Sequence, residues 1–129
     1  MRVSRRLLVL SFTALVATCG GGGGSSATAP VSSSNPNQLT ITAGGVLTPS
    51  QITISQGSRV LFINNDSRSH QMYSDPHPEH TDCPEFDQVG LLLPGQSKES
   101  GNLVTVRTCG VHDHGEPDNL SLRGHIVIQ

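Results

Sequence analysis

The sequence predicts an all-β domain, a sandwich or barrel, over residues 38–129. Three observations carry this reading. Short stretches alternate apolar and polar residues at the two-residue period of a half-buried strand. Gly, Pro, Asn and Asp interrupt them at regular intervals. Beyond the first twenty residues, no stretch shows a helical period. Residues 39–42 alternate and stop at Gly44 and Gly45, and residues 51–55 alternate and stop at Gln56 and Gly57. Residues 59–64 form a nearly continuous apolar run, ended by Asn65 and Asp66. Residues 89–93 form another, ended by Pro94 and Gly95. Residues 103–108 alternate up to Cys109, and residues 124–129 close the chain.

What precedes the domain reads as targeting sequence. Arg2, Arg5 and Arg6 form a positive start, and residues 7–17 form an apolar run of signal-peptide length. That run is short for a membrane span. Val16, Ala17, Thr18 and Cys19 resemble a bacterial lipobox, in which Cys19 carries lipid and begins the mature chain; ordinary signal-peptidase cleavage is the alternative. Residues 1–18 are therefore assigned as a lipoprotein-type signal peptide. Residues 19–37 are mostly small or polar and read as a flexible tether. The expected location is the cell envelope, lipid-anchored and facing the periplasm or the cell exterior.

The formal charge of the whole chain is −2. Removing Arg2, Arg5 and Arg6 from eight basic residues leaves five against ten acidic ones, a formal charge of −5. Such a surface is unsuited to phosphate backbones, so nucleic acid is not an expected partner. It attracts cations.

Chemistry concentrates in two segments. Near the C-terminus, Cys109, His112 and His114 set a thiol and two imidazoles within six residues. Soft sulfur beside borderline nitrogen is a donor set for copper or zinc. His112 and His114 are two apart, so on extended backbone both face one side. The second segment, residues 74–87, has no strand pattern and carries Pro76, Pro78 and Pro84 with His77, His80 and Cys83. A loop of that length in a compact domain is usually functional or disordered. Nine of the ten acids fall between Asp66 and Asp87 or between Asp113 and Asp118. His70, His77, His80 and His114 share those windows and His112 adjoins one, which leaves only His125 apart. His125 alternates with the last strand's apolar residues and reads as structural or exposed. Met72 shares a face with His70 if that segment is a strand, and reads as core packing.

Taken together, these pieces resemble the cupredoxins, the blue copper proteins of plastocyanin type. Residues 49–54 followed by Gly57, then Val60, Phe62, Asn64 and Asp66, are similar to that family's second and third strands. His70 falls at its first copper ligand, and Leu93, Pro94, Gly95, Gln96 and Ser97 at the turn after its middle strands. Cys109 stands at its thiolate, and residues 122–128 resemble its last segment. The resemblance spans most of residues 38–129 and implies a cupredoxin-like Greek-key β-sandwich or barrel. It also implies a copper site of two imidazoles, a thiolate and a weak axial group. His112 matches the family's shorter spacing from the Cys to the second His, and His114 the longer.

The implied ligands are His70, Cys109, His112 and His114, with His77, His80 and Cys83 as further candidates. The sequence departs from the family at Leu122, where an axial Met is expected, in the long gap of residues 115–119, and at Cys83. Two exported cysteines ordinarily pair. A Cys83–Cys109 disulfide would leave an all-His site drawn from His70, His112, His114 and His77 or His80. The resemblance implies a copper-binding envelope lipoprotein, a one-electron carrier rather than an enzyme. With the disulfide, the alternative is copper storage, delivery or sensing without electron transfer. The expected partners are a redox protein or a copper donor or acceptor, and the membrane through the lipid.

Overall fold

The computed structural model describes residues 35–129. The signal segment, the lipidation expected at Cys19 and the tether up to residue 34 lie outside the described residues. In chain order the strands are β1 (Gln38–Ile41), β2 (Leu47–Thr48), β3 (Gln51–Ile54), β4 (Leu61–Asn64) and β5 (His70–Ser74). They continue with β6 (Gly90–Leu92), β7 (Ser97–Glu99), β8 (Arg107–Asp113) and β9 (Gly124–Ile128). Two short 3-10 turns, Pro84–Gln88 and Leu120–Leu122, complete the described secondary structure. The expected all-β class is what the described residues adopt.

One sheet has the order β2-β1-β4-β7 and the other β3-β9-β8-β5-β6. The β1–β4 and β3–β9 pairs are parallel and the remaining pairs antiparallel. Alternation sends one face of each sheet inward. Leu39 and Ile41 of β1 and Phe62 of β4 meet Ile52, Met72, Leu92, Val111, Ile126 and Ile128 of the other sheet, all buried. Each such side chain contributes about 1.5–3 kcal/mol on burial. Phe86, from the first 3-10 turn, packs edge-on against Phe62 with ring centroids 5.8 Å apart.

The strand expected over residues 103–108 is displaced. Leu103 is buried and ties to Ser58 and Gly57 through its backbone, but Val104 and Val106 are exposed and outside any strand. β8 instead begins at Arg107 and runs through the Cys109–Asp113 segment, because it has a ladder on both sides. Arg107 to Val111 pair with β9, and Val111 to Asp113 pair with β5.

At one end of the sandwich, polar groups replace the apolar core. Asn64 is buried and fully used: its amide donates to the carbonyls of Arg68 (2.8 Å) and Leu92 (3.0 Å), and its oxygen accepts from Asp66 N–H (2.9 Å). His70, at the start of β5, is also buried. Its Nδ1 faces Asp113 Oδ2 at 2.7 Å and its Nε2 faces Asp66 Oδ2 at 3.0 Å. Donating to both carboxylates at once requires the cationic ring. Asp113 Oδ1 also accepts from the backbone of Gln71 (3.1 Å) and Gly115 (3.0 Å). The His70 hydrogen bond, with help from Ser67 N–H and the Arg68 guanidinium, holds the Asp66 carboxyl down to about 2 against its burial.

Two outcomes are expected. Phe86→Ala should destabilise the domain by about 3–5 kcal/mol in urea unfolding, as deletion of a buried aromatic does; a loss under 1 kcal/mol would contradict this packing. For Asp66 the folded value lies below the ordinary 3.8, so its contribution is full above 3.8 and is lost as pH falls through about 2. The stability gap between wild type and Asp66→Asn should therefore be widest above pH 3.8 and close toward pH 2. A gap that ignores pH would show that the carboxylate charge does not matter.

Candidate metal centre

Alternation along β8 sorts its side chains. Cys109, Val111 and Asp113 point to the core, as their register opposite Ile126, Ser74 and Met72 respectively requires. His112 points the other way, opposite Tyr73. His114, one step past the strand, is kept on that outer face because its N–H still donates to Gln71 O at 2.7 Å.

The residue 75–82 loop folds back over this face. Its course is set by backbone bonds from Asp75 N–H to Gly110 O (3.0 Å), from His80 N–H to Pro76 O (2.8 Å) and from Asp82 N–H to Asp75 O (2.8 Å). It ends at Cys83, which is disulfide-bonded to Cys109 with Cα atoms 5.9 Å apart. The loop thereby lays His77 and His80 against His112 and His114. One nitrogen from each of the four rings lies within 4.8 Å of all the others. Ring contacts are close: His80 stacks on His112 at 5.2 Å, and His77 lies 4.8 Å from His114. Tyr73 floors the cluster, 4.6 Å from His80 and 5.4 Å from His114. His80 has φ of 55°, a left-handed conformation uncommon outside Gly that marks a tightly determined site.

The rings are oriented from behind. His112 Nδ1 faces Asp75 Oδ1 at 2.6 Å, and Arg123 in turn contacts both Asp75 oxygens at 3.2 Å. His80 Nδ1 donates to Ser74 O at 2.9 Å, which leaves Nε2 as an acceptor 3.0 Å from His114 Nδ1. Asp75 reaches His112 only because residue 110 is Gly; a Cβ there would lie 2.7 Å from the Asp75 carboxyl carbon. The donor set passes a test for a metal. His112 Nε2 is buried and has no hydrogen-bond partner, although an orphaned buried nitrogen carries a substantial penalty. Its Nδ1 is fixed by a carboxylate, the arrangement that orients imidazole ligands. Borderline nitrogens alone suit copper or zinc.

Burial lowers the His112 pKa from its ordinary 6.5, the Asp75 carboxylate opposing and the His80 and His77 rings reinforcing it.

Two of the expected ligands stand elsewhere. His70 is buried on the inner side between Asp66 and Asp113 and does not join the four rings. The reason is the β5 alternation, which sends His70, Met72 and Ser74 to the core. Cys109 supplies no thiolate and Cys83 no second sulfur, because each sulfur is bonded to the other. His77 and His80, the secondary candidates, sit beside His112 and His114. Asp75, Tyr73, Arg123 and Gly110 were not singled out from the sequence. Asp75 lay within an acid-rich window, but nothing in that pattern distinguishes it from Asp82 or Asp87.

The two sheets, their order and the position of β8 define a cupredoxin fold. The solved structures that resemble it include a purple cupredoxin from Nitrosopumilus maritimus, at 18% identity and a TM-score of 0.56 over 71% of this chain and 98% of that one. Plastocyanin from Dryopteris crassirhizoma matches at 19% identity and a TM-score of 0.55, over 71% and 99% of the two chains. Amicyanin from Paracoccus versutus matches at 12% identity and a TM-score of 0.56, over 74% and 83%. No protein-family model matches the chain, and no curated protein matches its sequence.

The metal-free protein should show His112 titrating below 6.5 by NMR. The neutral ring is the one the fold accommodates, so the stability tied to it is full above 6.5 and lost as pH falls below that value. Asp75→Asn should lower the His112 value further, since the carboxylate favours the protonated ring. A rise in the variant would contradict the contact.

Proposed function

We propose that the domain binds one copper ion through His77, His80, His112 and His114, and that it stores or delivers copper rather than carrying electrons. The carrying observation is the convergence of four imidazole nitrogens within 4.8 Å around a partnerless buried His112 Nε2. Among first-row divalent ions, nitrogen sites favour Cu(II), which ranks above Zn(II). The copper-protein relatives of the fold add support. Against the electron-carrier reading stands the disulfide, which engages the sulfur that a blue copper site would use.

When bound, copper would supply Lewis acidity and a one-electron couple. The chain's part is to hold and orient. Asp75 fixes the His112 tautomer, Ser74 O fixes that of His80, and the Cys83–Cys109 bond keeps the two ligand-bearing segments together. The signal-like start and Cys19 support placement at the cell envelope on a lipid anchor. The acidic mature domain supports cation capture there.

The full chain titrated with Cu(II) should take one equivalent, show no free thiol among Cys83 and Cys109, and develop no intense visible thiolate band. An intense blue or green band would overturn the all-His site. His112→Ala should abolish stoichiometric binding, a larger loss than the about 10–100-fold expected from Asp75→Asn, which removes only an orienting partner. Retained stoichiometric binding in His112→Ala would exclude these ligands.

A further inference from the structure

The four histidines are not held equally. His112 is fully buried in β8 with Nδ1 on Asp75. His80 is fixed by Ser74 O, by its own N–H on Pro76 O and by stacking on His112. His114 is fixed by its N–H on Gln71 O and by its Nδ1 contact with His80. His77 shares the ring contacts of the cluster but lacks the polar anchors. It is exposed, it sits between Pro76 and Pro78 on the loop, and among the described residues neither ring nitrogen has a hydrogen-bond partner. Ordering an unfixed side chain costs rotamer entropy that prefixed rings have already lost, so His77 is the ligand released most easily. Three protein ligands and a replaceable fourth describe an open site rather than a closed structural one.

His77 also lies where the site meets solvent. A cleft beside it is lined by Asp75, Pro76, His77, Pro117, Asp118 and Arg123. Its one guanidinium is engaged by both Asp75 oxygens, and Asp118 adds a second carboxylate. The mouth therefore disfavours small anions. Among neutral donors, an imidazole-type nitrogen matches the borderline character of the ring it would replace.

We propose that His80, His112 and His114 form the fixed ligand set and that His77 is an exchangeable fourth ligand, displaced at the cleft by an external imidazole-type nitrogen. This rests on the four-His copper reading and identifies the class of donor through which the metal would be handed on.

The test loads the full-length chain and its variants with Cu(II), and reads affinity by competition and nitrogen coupling by electron paramagnetic resonance. His77→Ala should keep one equivalent with affinity within about tenfold of wild type. His80→Ala and His114→Ala should each lose more than about 100-fold, beyond what loss of an orienting partner costs. Where either of these does not melt cooperatively, His80→Gln or His114→Gln replaces it. Imidazole added to His77→Ala should restore the wild-type nitrogen pattern, and azide at the same concentration should leave the spectrum unchanged. An N-acetylated histidine peptide binding more tightly than free imidazole would mark a protein-borne donor, and the reverse a small-molecule one; either supports the exchange. Equal losses in all the His variants, or azide binding as well as imidazole, would overturn it. Wild type that binds no copper would overturn the copper reading itself, an outcome separate from both.

Discussion

The alternation of side chains along β8 is the constraint on which the rest of the structure depends. Because the period of an extended chain is two, Cys109, Val111 and Asp113 must share one face, with His112 on the other. The inner face then receives a sulfur for the disulfide, a methyl-bearing side chain for the core and a carboxylate for His70. The outer face receives the imidazoles. No shift of register by one residue could preserve any of these assignments, since every side chain would change sides. Pairing on both flanks, with β9 and with β5, fixes that register.

Two polar systems consequently lie back to back across one strand, and they obey opposite electrostatic rules. Inside, His70 sits between two carboxylates, each with further donors from Arg68 or the backbone, so charge is matched by charge. Outside, one carboxylate, Asp75, faces His112, and burial favours the neutral form of that ring. The residue that joins the systems is Asp113, whose neighbours on either side are both in the outer cluster. Holding its carboxylate from three directions, by His70, Gln71 N–H and Gly115 N–H, steadies the backbone that presents His112 and His114.

Much of the fold was legible because the core is written in apolar alternation. Ile52 and Ile54 in β3, Phe62 in β4, and Ile126 and Ile128 in β9 announce their inward faces. β5 was not legible, since its inward residues are His70, Met72 and Ser74, only one of them apolar. Leu103–Val106 misled for the converse reason: an alternating pattern does not make a strand without a neighbour to pair with. The site was legible in composition but not in membership. The sequence brought His77, His80, His112 and His114 into view together with His70 and the cysteines. Choosing among them required knowing that residue 70 faces inward and that the proline-rich loop folds outward. Both are consequences of tertiary register, which local pattern does not encode. The likeness to copper proteins favoured His70 and Cys109 because it compares positions along the chain. The imidazoles that converge here lie on the opposite face of the same strand from Cys109.

Gly110 offers no ligand atom, yet the space it leaves is the seat of the Asp75 carboxylate. Through Asp75 that space governs the orientation of His112, and through the same oxygens it governs the stance of Arg123 over the clefts on either side. A single added methyl would be felt at all three places together. The mutational tolerance of the centre is thus narrow at a position that an inventory of its donors would omit. A chain in which the four histidines were kept but this residue was not would carry the rings without the means of aiming His112.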